Sequence, residues 1–210
     1  MGGLLSDKQF VMAQPLPDRS APPHCRNMRS VVIAGSAGAL LPLKHIIEAL
    51  PSPCRASVFV VIHIGAQPSM LPSILDTYSS ASASFAKDGE VILEGHIYVA
   101  PPDHHMLLDR SRIWLTQSPK VHFTRPAADP LFVSAAEAFG EDLLGVVLSG
   151  GDGDGAEGLR QVKKQGGISL VQEPEEAEVP SMPLQALLSD HPDASVSVDR
   201  IARLVREFCS

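Results

Sequence analysis

The sequence predicts an α/β fold: a three-layer, doubly wound, mostly parallel sheet with helices on both faces and a β-hairpin insertion. Two observations carry this. Short apolar runs that end at glycine or polar turns recur at 31–34 (VVIA), 57–64 (SVFVVIHI), 143–148 (LLGVVL) and 168–172 (ISLVQ). Continuous apolar runs of this length, rich in β-branched residues, mark strands buried on both faces of a parallel sheet. Between them stand segments with helical spacing, and strand–helix alternation is the signature of helices covering both sides of such a sheet.

The elements follow in order. Residues 31–34 form a strand that meets Gly35, and Leu40, Leu41, Leu43, Ile46 and Ile47 place an apolar stripe on a helix ending before Pro51. Residues 57–64 are a second strand, and Pro68-Ser69 open a helix through about Tyr78. Asp88-Gly89 and Glu94-Gly95 punctuate short strands in the middle of the chain. His96–Ala100 is one strand, stopped by Pro101-Pro102. Residues 105–109 and 112–116 predict a hairpin around Arg110-Ser111. Asp129 and Pro130 predict the N-cap and first turn of a helix running to Phe139. Residues 143–148 are a strand, Ala156 to Gln165 a helix ended by Gly166-Gly167, and 168–172 a strand. Met182-Pro183 open a helix to about Leu188. Residues 195–197 make a short strand, and Val198 to Phe208 a final amphipathic helix.

Residues 1–29 differ. Pro15, Pro17, Pro22 and Pro23 stand in a polar, aperiodic context, so the expectation is a flexible leader or linker remnant before one domain over 30–210. The 210 residues suit one such domain. The balance of 17 basic against 24 acidic residues, a net charge of -7, disfavours nucleic acid as a partner. Cys25, Cys54 and Cys209 are odd in number and lack a C-x-x-C pair, which argues against a disulfide framework or zinc knuckle. No apolar run reaches the roughly 18 residues of a membrane span, and no signal-peptide pattern opens the chain. A cytoplasmic protein without membrane insertion is expected.

Open parallel sheets bind ligands at the carboxyl ends of their strands. Three polar residues fall there. Ser36, in Gly35-Ser36-Ala37-Gly38, follows the first strand; its hydroxyl suits a nucleophile, with the Ala37 N–H as an oxyanion donor. A serine before a helix is equally an ordinary N-cap. His63 ends the second strand among Val60, Val61, Ile62 and Ile64. It is placed as a general base or as a satisfied core histidine. Asp154 lies in Ser149-Gly150-Gly151-Asp152-Gly153-Asp154-Gly155 and could orient an imidazole. A calcium loop fails at Ala156, and no Gly-Lys-Ser/Thr makes a phosphate loop. The eight histidines give no metal-binding pattern, so neither a metal nor another cofactor is expected.

Over about residues 30–206 the chain resembles the catalytic domain of the bacterial chemotaxis protein-glutamate methylesterases. The resemblance rests on VVIAGSAGAL, VFVVIHIGAQPSMLPSIL, GEVILEGHIYVAPPDHHMLL, RPAADPLFVSAA, LLGVVLSGGDGDGAEGL and the pair Met182-Pro183. It implies a Ser36–His63–Asp154 triad, oxyanion and substrate contacts from Ala37, Gly38 and Gly151, and no cofactor. It also implies action on the cytoplasmic region of methyl-accepting chemoreceptors, removing glutamyl methyl esters and in some members deamidating glutamine. Departures from the usual family pattern are Ala37, Ala39, Ile62, Ile64, Ser149, Gly151 and Asp152. They leave open a weakly active receptor- or partner-binding module, or an esterase for another ester. The family usually carries a receiver domain ahead of this one. Twenty-nine residues are too few for it, so the expectation is that any response regulator acts as a separate partner.

Overall fold

A computed structural model describes residues 28–63, 69–190 and 192–210. The leader expected over 1–29 therefore lies, up to residue 27, outside the described residues, as does Pro68, expected to open the second helix.

Nine strands and six α-helices follow along the described chain: β1 (Arg29–Gly35), α1 (Leu40–Glu48), β2 (Ala56–Ile62), α2 (Leu71–Asp76), β3 (Ser82–Phe85), β4 (His96–Val99), β5 (His105–Leu108), β6 (Ile113–Thr116), α3 (Ala128–Phe139), β7 (Leu143–Val147), α4 (Ala156–Lys164), β8 (Ile168–Gln172), α5 (Ser181–Asp190), β9 (Ala194–Val196) and α6 (Val198–Phe208). Seven strands form one sheet in the order β3-β4-β2-β1-β7-β8-β9, and every pairing in it is parallel. Strands β5 and β6 pair antiparallel as a separate hairpin. The α/β, doubly wound architecture with its hairpin is as the sequence predicts.

Alternation along each strand builds two cores. In β1, Val31 and Ile33 face α1, α2 and α6, whereas Val32 and Ala34 face α3, α4, α5 and the hairpin. In β2, Val58, Val60 and Ile62 join the first group, and Phe59 and Val61 the second. Phe59 stacks on Tyr98 of β4 with ring centroids 5.4 Å apart. Fully burying side chains of this size stabilises by about 1.5–3 kcal/mol each, which is why the runs read from sequence became the central strands.

The winding order places a site. From β1 the chain moves outward through β2 toward β4 on one side, and through β7, β8 and β9 on the other. The switch point therefore lies between β1 and β7, where the connections leave in opposite directions and open a crevice beyond the strand ends.

Three readings need correction. Strand β3, Ser82-Ala83-Ser84-Phe85, was not expected; it is an edge strand whose small and polar residues are mostly half-buried and carry no hydrophobic pattern. Helix α2 ends at Asp76, short of Tyr78; Thr77 closes it. Asp129 is not the N-cap of α3. Ala127 holds that position, and Asp129 sits inside the first turn with its carboxylate directed elsewhere.

Candidate active site

Ser36 comes one residue after β1 ends, and His63 one residue after β2 ends. Gly35 and Ile62 are register partners in the parallel β1–β2 pair. The His63 N–H extends that ladder by donating to the Gly35 carbonyl at 3.1 Å. Ser36 and His63 are thus held on neighbouring strand ends by the sheet itself. The loop after β7 closes the third side. The Ser36 N–H donates to the Ser149 carbonyl at 2.9 Å, and a Cβ placed on Gly150 would come within 3.0 Å of Ser36 Cβ and 1.9 Å of Met182 Sδ. Only glycine lets the chain pass between Ser36 and α5.

The structure removes one reading of Ser36. Helix α1 begins at Leu40 with Ala39 as its N-cap and without a side-chain cap. Ser36 lies ahead of it, in a turn closed by Ala39 N–H to Ser36 O at 3.1 Å. The serine is therefore not a helix cap, and its hydroxyl makes no hydrogen bond among the described residues. The turn is pinned from the far side, where Ser149 Oγ donates to the Ala37 carbonyl at 2.7 Å and accepts from the Val179 N–H at 2.9 Å. Gly38 adopts φ +78°, and a Cβ there would strike Ser149 Oγ and Glu178 Cβ, each at 2.6 Å. The N–H groups of Ala37, Gly38 and Gly151 donate to no acceptor among the described residues.

The histidine is committed on one side. His63 Nε2 lies 2.8 Å from Asp154 Oδ2; the His63 side chain is 6% exposed and that of Asp154 0%. Asp154 also accepts from two backbone groups at the start of α3, Ala128 N–H and Asp129 N–H, the latter at 3.0 Å. Burial alone would push the Asp154 carboxyl up, but the bonds from His63, Ala128 and Asp129 outweigh it and hold the carboxyl below its usual value. A carboxylate only accepts, so Nε2 carries the ring proton. Thr124 agrees: its hydroxyl donates to the Val121 carbonyl at 3.0 Å, leaving a lone pair toward Nε2 at 3.5 Å. The neutral ring then presents its lone pair at Nδ1. That atom is buried without a hydrogen-bond partner among the described residues, 3.5 Å from Asp152 Oδ2.

Beneath this lies an exchange of caps. Asp154, from the loop before α4, satisfies the first N–H groups of α3. Asp129, from α3, satisfies Gly155 N–H at 3.0 Å and Gly158 N–H at 2.7 Å at the start of α4. Each carboxylate meets the partial positive charge of the other's helix. Burial and the neighbouring Asp154 charge push the Asp129 carboxyl above its usual value, against the pull of Gly158 N–H and His122. His122 Nε2 contacts Asp129 Oδ2 at 3.0 Å, and ligand atoms of His122, Asp129 and Asp154 lie within 4.8 Å of one another. All three are the donors a hard or borderline cation takes, but here they are turned to protein partners.

Of the residues picked out by sequence, Ser36, His63 and Asp154 lie at or beyond the ends of β1, β2 and β7; Ala37 and Gly38 continue the turn of the serine, and Gly151 follows Gly150, which packs against Ser36. Asp129, Thr124 and Ser149 were missed as contributors. A serine or threonine in a loop gives no signal of what it will meet. Asp129 gave the wrong one, because an aspartate near a helix start is ordinarily read as that helix's own cap.

A hydroxyl, an imidazole and a buried carboxylate along three adjacent strand ends form a set suited to acyl transfer. The family model described as CheB methylesterase matches residues 31–205. The chain belongs to the CheB methylesterase family. It is 35% identical over 180 residues to a putative protein-glutamate methylesterase/protein-glutamine glutaminase of Leptospira interrogans, covering 85% of this chain and 93% of that one. It is also 35% identical over 183 residues to the protein-glutamate methylesterase/protein-glutamine glutaminase of Pyrococcus horikoshii, where it spans 49% of the relative. Among solved structures, the Thermotoga maritima CheB methylesterase catalytic domain superposes with a TM-score of 0.80 at 30% identity, covering 86% of this chain and 98% of that one. The CheB fold and the parallel sheet described above are thus one architecture. No helix among the described residues is long and apolar enough to cross a membrane.

Proposed function

We propose that this CheB-family chain is a serine esterase that removes methyl groups from γ-glutamyl methyl esters on the cytoplasmic region of chemoreceptors. Ser36 is the nucleophile, His63 the general base and Asp154 the residue that orients it. The observation that carries the reading is the Nε2–Asp154 bond of 2.8 Å, which leaves a buried, unpartnered Nδ1 on the strand end beside Ser36. His63 Nδ1 takes the proton of Ser36 as Oγ attacks the ester carbonyl. The carbonyl oxygen becomes an oxyanion, and the uncommitted N–H groups of Ala37, Gly38 and Gly151 are the donors at hand for it. The imidazolium, stabilised by Asp154, then protonates the departing methoxide as methanol. Water, deprotonated by the same nitrogen, cleaves the acyl-enzyme and leaves glutamate. No step calls for a metal or organic cofactor.

The double names of the relatives, methylesterase and glutaminase, support one site acting on ester and amide. The two substrates share the carbonyl, and the imidazolium protonates either leaving group. The work would take place in the cytoplasm, where such receptor segments lie. The test is methanol release from a methyl-esterified receptor fragment. Ser36→Ala is expected to lose at least about a thousandfold in kcat, as removing a triad nucleophile generally does. Full activity in Ser36→Ala would overturn the reading.

A further inference from the structure

The imidazole of His63 meets a carboxylate at each nitrogen. Asp154 holds Nε2 at 2.8 Å, and Asp152 Oδ2 stands 3.5 Å from Nδ1. The second carboxylate is not a loose surface charge. Its other oxygen, Oδ1, accepts the Asp154 N–H at 3.0 Å, so the turn that delivers Asp154 to one side of the ring also sets Asp152 at the other. His63 is 6% exposed and Asp152 33% exposed, so the contact is screened from solvent on the imidazole side.

We propose that Asp152 is a positioning residue that favours a proton on His63 Nδ1 and so competes with the Ser36 hydroxyl for the nitrogen that acts as base. The inference rests on the reading of His63 as that base. When the ring is neutral, its Nδ1 lone pair faces a carboxylate oxygen, which is repulsive. When the ring is protonated, an N–H faces the same oxygen, which is attractive. A ring that carries a proton on both nitrogens sits between two carboxylates and cannot accept the Ser36 proton. During turnover the same contact steadies the imidazolium formed as Ser36 attacks.

The other charged or titratable groups around the ring are accounted for. Asp154 and Asp152 come from the β7–α4 loop. Asp129 of α3 is bound to Gly155, Gly158 and His122. His105 of β5 accepts the Ala127 N–H through Nδ1 and faces the Pro119 carbonyl through Nε2. Arg125 is paired with Asp103. Of the described carboxylates, Asp152 alone forms an ion pair with Nδ1.

The experiment compares wild type with Asp152→Asn, which keeps an Oδ1 acceptor for the Asp154 N–H and removes the charge. In methanol release from a methyl-esterified receptor fragment, the acid limb of kcat/KM is expected at lower pH in Asp152→Asn. The ratio of kcat/KM at about pH 5.5 to that at about pH 8 should rise at least about threefold over wild type. Ring nitrogen-15 NMR of His63 gives a readout that needs no substrate, and protonation at Nδ1 should persist to higher pH in wild type than in the variant. A merely structural Asp152 would scale kcat equally at all pH values and leave the ring titration where it was, and that result overturns the proposal. An active Ser36→Ala sinks the triad reading, while the ring titration still decides for or against Asp152. An inactive Ser36→Ala with superimposable wild-type and Asp152→Asn titrations sinks the Asp152 proposal alone.

Discussion

Asp129 and Asp154 show how two identical side chains a few ångströms apart end in opposite electrostatic states. Asp154 collects three donors and is held below its usual value, whereas burial and the Asp154 charge push Asp129 up. The consequences for stability have opposite signs. The depressed Asp154 contributes stability at pH above its unfolded value, the ordinary 3.8, and loses it as pH falls through the lower folded value. The raised Asp129 contributes fully below 3.8, and its contribution is lost as pH rises through the higher folded value. Asp129→Asn keeps the acceptor for Gly155 and Gly158 without the charge. It should stay within about 1 kcal/mol of wild type at neutral pH, and its stability relative to wild type should rise as pH is raised from about 3.5 to 7. Asp129→Ala strands two buried N–H donors and should cost about 1–3 kcal/mol. Urea denaturation of both variants at several pH values measures this. An Asn variant that loses ground with rising pH would show that the charge, not the acceptor, is what α4 uses.

Helices and strands divide between those the sequence announces and those it does not. The strands β1, β2, β7 and β8 were legible because each is buried on both faces and written in continuous apolar residues. Helix α6 was legible because its apolar stripe, Val198, Ile201, Ala202 and Val205, flanked by Leu204 and Phe208, joins the core while its other residues are charged. Edge strand β3 was not, since its serines give no apolar pattern; Ser84 instead meets the next strand through its hydroxyl, 2.8 Å from His96 Nε2. Nor was the cap exchange between α3 and α4, because a capping carboxylate that comes from another element leaves no local pattern. In the candidate site, the placement of Ser36, His63 and Asp154 beyond strand ends was legible from the strand pattern. The Asp152 contact was not, because it depends on which way a glycine-rich loop turns. Where the cap is local, the expectation is simple. Ser197 caps α6 by accepting the Arg200 N–H at 3.4 Å, a long bond. Ser197→Ala should therefore cost near the low end of cap losses, about 0.5–1 kcal/mol, read as a lowered urea midpoint at unchanged m. A loss above about 2 kcal/mol would mean that Ser197 holds more than the helix end.

At the scale of the molecule, the parallel strands separate the candidate site from the anchoring of the chain's last residues. Their carboxyl ends carry Ser36, His63 and the Gly150–Gly155 loop. Their amino ends carry the last residues of the chain: Arg29 Nη1 donates to the Phe208 carbonyl at 3.0 Å, the Arg55 N–H donates to the Cys209 carbonyl at 2.8 Å, and Cys209 is fully buried. The buried Cys54, whose thiol donates to the Ala56 carbonyl at 3.5 Å, belongs to this end too. Val205, on the last turn of α6, is fully buried in the core shared with α1 and the strands and lies toward that end. Val205→Ala removes buried methyl groups there and should destabilise by roughly 1–3 kcal/mol. For a domain of this size that corresponds to a melting temperature lower by about 2–4 °C for each kcal/mol. The site is fixed by the β1–β2 and β1–β7 ladders and by the Ser149 bonds, none of which passes through α6. At a temperature where both proteins are folded, kcat and KM for methanol release should therefore match wild type within about twofold, since distant, unshared sites behave independently. A drop in kcat at full folding would show that packing at the amino ends reaches the strand ends where Ser36 and His63 meet, and the separation of the two ends would have to be abandoned.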